Sequence, residues 1–281
     1  MKQRIVTALV LVPLVILGIF VLPLFAFVTT LAIITLVGFW EWTQFVEEEF
    51  RFIALMPAVV IISSFSFLLI SFDSVSFNAQ LSVRYLVLAI GVIWWLAASG
   101  LTVTYPHSSK FWQGSKILHH LFGILTLIPF FWSVLLLRAE STETSPYHGA
   151  KLVLFVCLIV WLVDSGAYFA GKSMGKRKMA PSVSPNKTIE GLLCGIITAG
   201  IASWFLAQWF EIEFSSPMSM MLIILVTVVI SVFGDLVESM FKRVSGIKDS
   251  GNMIPGHGGV LDRIDSLTAA FPVFTLLYFI F

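Results

Sequence analysis

Nine apolar runs, most of them long enough to cross a lipid bilayer, dictate what this chain can fold into. They lie at roughly Ile5 to Val21, Leu24 to Phe39, Ile53 to Phe72, Arg84 to Thr104, Leu118 to Leu137, Leu152 to Gly171, Gly191 to Phe210, Met218 to Phe241 and Leu261 to Phe281. Each approaches the ~20 mainly apolar residues that a span needs. A backbone in hydrocarbon has no water to bond, so each run must satisfy its own N–H and C=O groups as a helix. The expected fold is all-α, a polytopic integral membrane protein of about nine transmembrane helices. Charged residues make up only 12% of the chain, about half the share a soluble domain carries, which excludes a water-soluble globule. Cys157 and Cys194 sit singly in apolar runs and imply neither a disulfide framework nor a thiolate metal site. Only Leu22 and Pro23 separate the first two runs, so a re-entrant pair is the alternative to two spans there. The opening Met1-Lys-Gln-Arg resembles a signal peptide, but no small-x-small cleavage site follows, and the run is read as the first span.

Nine spans sort the connections into two sets. One set collects every one of the 17 Lys and Arg residues except Arg84, Arg138 and Lys151. The positive-inside rule makes that face cytoplasmic, with the N-terminus on it and the C-terminus outside. A net charge of +1 argues against a nucleic-acid partner held by bulk charge. Among the cytoplasmic connections, Tyr105 to His120 reads as an amphipathic stretch in the interface. Gly171 to Glu190 and Lys242 to Asp262 read as loops, rich in Gly and polar residues and without an apolar period.

Acids inside these spans need an explanation, because an ionised Asp near a span's centre costs about 2.5 to 3.5 kcal/mol. Asp164 lies eight residues before Lys172, about 12 Å from the cytoplasmic end of its helix. Asp235 lies seven before Lys242, about 10 Å from that end. The last helix must start near Leu261 to span at all, which puts Asp262 and Asp265 in its first turn. Asp262 and Asp265 share a helix face, as do Asp235 and Glu238. A neighbouring Lys accounts for one such acid, whereas four at one depth ask for a common purpose. Carboxylates without thiolates or clustered histidines suit a hard cation such as Mg²⁺. Lys242, Arg243, Lys248 and Arg263 flank the acids and Lys187 ends the other loop, so metal, carboxylates and bases can converge on a polyphosphate. Gly256-His257-Gly258-Gly259 precedes the last helix, where backbone N–H groups can approach an anion. His107, His119, His120 and His148 lack ligand spacing and are given no chemistry.

These residues carry a family resemblance. The stretch from Ser239 to Asp265, SMFKRVSGIKDSGNMIPGHGGVLDRID, resembles the signature of the phosphatidate cytidylyltransferases, or CDP-diacylglycerol synthases. Asp164-Ser165-Gly166-Ala167-Tyr168, Ser184 to Gly191 and Gly234-Asp235-Leu-Val-Glu238-Ser239 are similar to that family's other shared segments. The likeness covers the chain from about Val160 onward. It implies an inner-membrane enzyme, usually dimeric, that condenses CTP with phosphatidic acid to give CDP-diacylglycerol and pyrophosphate, with its site facing the cytoplasm. It further implies that Asp164, Asp235, Asp262 and Asp265 surround a centre holding Mg²⁺ and a second cation such as K⁺. Lys248 and His257 join them as candidate catalytic residues. Lys187, Lys242, Arg243, Arg263, Ser239, Gly258 and Gly259 are candidates for binding substrate. On this reading residues 1–149 are a lipid-side scaffold with dimer contacts, and residues 150–281 are the catalytic transmembrane domain, with cytoplasmic loops 171–190 and 242–262. Other Mg-dependent membrane transferases, of CDP-alcohol or polyprenyl-phosphate type, place acids similarly. A CDP-alcohol phosphotransferase, however, needs a DG-x2-AR-x8-G-x3-D-x3-D run that is missing here. An ion-coupled transporter would need polar groups continuing outward, and the outer halves of the last four spans are almost wholly apolar.

Overall fold

The computed structural model describes residues 2–46, 50–70, 77–140 and 145–281. Among the described residues nine α-helices run in order: α1 (Lys2–Val21), α2 (Leu24–Trp42), α3 (Arg51–Ile70), α4 (Phe77–Val103), α5 (Lys116–Ala139), α6 (His148–Met174), α7 (Ile189–Phe210), α8 (Pro217–Val244) and α9 (Leu261–Ile280). Eight are long and apolar enough to cross a bilayer, and the well-described apolar part of α1, Leu9–Val21, is shorter. The all-α membrane fold expected from the sequence is present. The side chains of Lys2 and Arg4, and the expected end of the third span at Phe72, lie outside the described residues.

The first two helices are not a re-entrant pair. Near the start of α1, Thr7 Oγ1 donates to Pro255 O at 3.2 Å, in the connection between α8 and α9. At its other end, Arg138 at the close of α5 donates from Nε to Ile19 O at 3.0 Å and from Nη2 to Leu22 O at 3.1 Å. Those carbonyls are orphans of a finished helix, and a guanidinium fork satisfies two of them. Pro23 restarts the chain, and α2 returns to the connection it left, where Glu41 meets Val260 and Leu261. Each helix therefore traverses the full depth of the bundle. The far end gathers the three cations that the sequence sets apart. Arg84 pairs with Glu140 at 3.7 Å, Lys151 with Glu211 at 3.0 Å, and Arg138 holds α1.

Local chemistry sets the helix ends. Ser216 opens α8 in a reciprocal capping box with Ser219, with Pro217 just inside, and Thr188 opens α7 by accepting from Gly191 N at 3.2 Å. Such caps supply acceptors that the first turn lacks. At α9 the N-cap residue is Val260 and no side chain of its own segment caps the helix.

Two connections differ from the sequence reading. Residues 171–190 are not simply a loop: α6 continues to Met174, and β1 (Lys178–Ala180) pairs antiparallel with β2 (Ser184–Thr188) in the register Lys178↔Thr188 and Ala180↔Ser184. Strands this short leave no periodic signal. The hairpin is held instead by Glu190, which accepts from Lys176 N and Arg177 N at 3.0 Å each. In the Tyr105 to His120 segment a short 3-10 turn exposes Phe111, while Trp112 is buried against Phe241 and His119. It is thus part of the packed bundle and not just a surface stretch.

An absent side chain lets α6 and α7 come together. On α7, Gly195 sits so close to α6 that a Cβ would lie 2.8 Å from both Val163 O and Val163 Cγ2. Close approach through small residues is how helices associate without a hydrophobic driving force. Gly195→Ala is expected to lower the thermal unfolding midpoint of the detergent-purified protein, by an overpacking cost of about 1 to 3 kcal/mol. Gly200→Ala on the same helix, where nothing lies within 4 Å of the added methyl, is expected to leave the midpoint unchanged or raise it.

Candidate active site

The site begins with a glycine. Gly234 on α8 lets α9 approach until a Cβ would stand 2.7 Å from Asp265 O. That contact sets Asp235, the next residue on α8, against Asp265 on α9, with Glu238 one turn along and also within interaction range of Asp265. Asp164 on α6 is within electrostatic reach of Asp235, Asp265, Lys187 and Arg263. Lys187 reaches in from β2, its Nζ 2.7 Å from Asp235 Oδ2, and donates to Val232 O at 3.4 Å. Ser239 Oγ donates to Asp235 Oδ1 at 3.1 Å. Arg243 Nε clips the hairpin over the same end of α8 through Val183 O at 3.1 Å.

The acids divide by accessibility. Asp164 is exposed, and Asp235 and Asp265 are partly so, while Arg243, Lys248 and Arg263 are exposed around them. Beneath lies a buried set. Lys242 Nζ sits between Glu238 Oε2 at 3.1 Å and Asp262 Oδ1 at 2.8 Å. Asp262 also accepts from Gly259 N at 2.7 Å and Ser250 N at 2.9 Å. Lys242 thus pairs with two buried carboxylates, and Asp262 collects Lys242 together with the N–H groups of Gly259 and Ser250, because a buried charge or donor must be paired within the protein.

Gly258 adopts φ +86°, a left-handed turn that glycine takes without strain. It turns the chain back so that Ile254 N donates to Gly258 O at 2.9 Å. His257 in that turn is half-buried, and its Nδ1 is buried without a hydrogen-bond partner among the described residues.

Glu41 is the functional-site residue that the sequence reading missed. With the second span ended at Phe39, Glu41 counted as a loop acid. The helix in fact runs to Trp42 and carries Glu41 inward, where it is 1% exposed. Its Oε1 accepts from Val260 N at 3.0 Å, and its Oε2 accepts from Leu261 N at 2.7 Å and Ser250 Oγ at 3.2 Å. The signal available was an acid flanked by tryptophans, Trp40-Glu41-Trp42, at the same end of its span as the other acids.

The donor chemistry fits a hard cation in part. Asp164, Asp235 and Asp265 offer accessible oxygens, and Glu238 Oε1 is a buried oxygen with no partner among the described residues. Among the described residues no three His, Cys, Asp or Glu side chains are already gathered at ligand range. Mg²⁺ is ordinarily held by one or two carboxylates together with substrate phosphates, not by an all-protein cage. The accessible trio meets that lesser requirement.

A polytopic helical bundle with accessible acids, surrounding bases and a glycine-rich turn at one end has the build of a membrane enzyme that handles phosphate groups. The chain matches the model of the cytidylyltransferase family over residues 2–281 and belongs to that family. It is 42% identical over 285 residues to the phosphatidate cytidylyltransferase of Haemophilus influenzae, covering 99% of each chain. With the phosphatidate cytidylyltransferase of Pseudomonas aeruginosa it shares 38% identity over 279 residues, covering 99% of this chain and 96% of that one. A similar enzyme from Bacillus subtilis is 46% identical over 136 residues, about half of each chain.

Removing Lys242 should expose the cost of the buried set. Lys242→Met leaves Glu238 and Asp262 without their shared counter-charge, and breaking a buried ion pair this way costs about 3 to 5 kcal/mol. The expected outcome is a clear fall in the unfolding midpoint, measured in detergent beside Lys248→Met at an exposed position, which should change it little.

Proposed function

We propose that this end of the bundle is where the cytidylyl group of CTP passes to phosphatidic acid, giving CDP-diacylglycerol and pyrophosphate for phospholipid synthesis. The observation that carries the reading is the convergence of Asp164, Asp235 and Asp265 with Lys187 and Arg263 at the bundle end where exposed bases cluster. The family match over nearly the whole chain favours it over a CDP-alcohol or polyprenyl-phosphate transferase and over an ion-coupled transporter. Phosphatidic acid is anchored by its acyl chains, whereas CTP and pyrophosphate are water-soluble, so the reaction belongs at a membrane boundary. The concentration of Lys and Arg in one set of connections supports a cytoplasm-facing site in a bacterial inner membrane. The family likeness supports a homodimer.

In the transfer, an oxygen of the phosphatidate phosphate attacks the α-phosphorus of CTP. The new P–O bond forms as the bond from that phosphorus to the bridging oxygen breaks, and pyrophosphate leaves with the electron pair. A phosphate monoester with its second pKa near ~6 is largely ionised at neutral pH, so no side-chain base is needed. Lys187, Arg243, Lys248 and Arg263 place and neutralise the phosphate groups, and positioning with electrostatic stabilisation supplies the catalysis. Ser239 fixes the rotamer of Asp235, and His257 contacts a phosphate oxygen. Asp164, Asp235 and Asp265 would hold Mg²⁺, which would supply the positive charge that offsets the charge developing on the leaving pyrophosphate.

Incubating the purified protein with phosphatidic acid, labelled CTP and Mg²⁺ should yield a labelled lipid. Asp235→Asn and Asp265→Asn are each expected to insert normally and to lose at least about 100-fold in turnover, the scale of removing one electrostatic group from a transfer site. Full CTP-dependent activity in either variant would remove the assignment of these acids. Undiminished product in excess EDTA would remove the divalent cation.

A further inference from the structure

We propose that Glu41 is a positioning residue of the transfer site. Its carboxylate is the fixed anion that seats the N-terminus of α9 and the 250–259 turn, and so sets where Asp262 and Asp265 stand. The inference rests on the transfer reading for the site being positioned, while the seating itself is independent of that reading. The first turn of a helix presents unsatisfied N–H groups and a partial positive charge. In α9 that end has no cap from its own segment. Glu41 supplies one from another helix, with a separate oxygen for each of Val260 N and Leu261 N. Ser250 Oγ ties the start of the turn to the same carboxylate. The anion that the glycine-rich turn invites from outside is thereby provided from within.

The packing around Glu41 is independent evidence that the carboxylate belongs in this place. A Cβ on Gly251 would collide with Glu41 Oε1, and a Cβ on Gly259 would stand 2.5 Å from Glu41 Oε2. Neither glycine needs to be one for a positive φ, which falls instead at Gly246, Gly256 and Gly258. Their missing side chains make room for the acid. Glu41 is itself firmly held. The adjoining Trp42 donates from Nε1 to His119 O at 2.9 Å, and its indole lies where a Cβ on Gly123 would come within 2.8 Å. One step away, Asp262 accepts from Ser250 N and Gly259 N, which share this turn. A shift of the turn is therefore a shift of Asp262, of α9's first turn, and of Asp265 one turn further on.

The test uses full-length protein purified in detergent, as wild type, Glu41→Gln, Glu41→Ala, Gly251→Ala and the Glu41→Ala/Gly251→Ala double variant. Hydrogen exchange is read over residues 250–261, and kcat and KM for CTP from labelled lipid formation. Glu41→Gln keeps the shape of the side chain but turns a donor toward one of the two amides. It is expected to speed exchange at 250–261 and to lower kcat by about 10- to 100-fold, the scale of a misplaced site, with KM changed much less. Gly251→Ala should reproduce both effects by displacing the carboxylate, and in the double variant it should add nothing to Glu41→Ala. Unchanged exchange in Glu41→Gln, an intact kcat, or strict additivity of the two changes would overturn the proposal. A wild type that labels no lipid would overturn the transfer reading, with exchange still deciding whether Glu41 seats the turn. Should Glu41→Ala fail to fold, Glu41→Gln and Gly251→Ala carry the same comparison.

Discussion

The arrangement depends on one buried exchange of charge, in which Lys242 stands between Glu238 and Asp262 while Asp262 collects the N–H groups of Ser250 and Gly259. A charge taken out of water has to find its full complement of partners nearby. These side chains find theirs in α8, in α9 and in the connection between the two helices. Satisfying them fixes the path of that connection, which in turn holds the first turn of α9. Asp235 and Asp265 inherit their positions from this set, since Asp265 follows Asp262 by one turn and Asp235 precedes Lys242 on α8.

Much of this was legible in the sequence, for identifiable reasons. Apolar runs of span length have only one way to satisfy their backbone in lipid, so the helices and their order followed from hydropathy. The depth of Asp164 and Asp235 followed from counting residues to the nearest cation and that of Asp262 and Asp265 from where the last helix must start, and the structure brings all four to one end of the bundle. What the sequence did not separate was which acids are open and which are spent. Asp262 and Asp265 look alike three residues apart, and only the fold shows Asp262 buried on Lys242 and backbone amides and Asp265 partly exposed beside Glu238. Glu41 was hidden by a boundary error of three residues at the end of α2. The hairpin of β1 and β2 escaped because its strands are too short to carry a period, and it is stabilised by Glu190 outside both of them.

Glycines do two different jobs in this architecture. In Gly195 and Gly234 the missing side chain lets two helices touch, which sets the spacing between α6 and α7 and between α8 and α9. In Gly251 and Gly259 it clears room for a carboxylate that arrives from α2. Glu41 thus brings a side chain from the second helix directly to the turn before α9.

That contact bears on how the chain comes to be assembled. Glu41 and Leu261 are 220 residues apart in sequence, and at ~5 to 20 residues per second of synthesis roughly 10 to 40 s separate their appearance. For that interval α2 holds an acid whose partners have not yet been made. Its partners on α9 exist only once the last helix has been made, so this contact ties the earliest part of the chain to the latest.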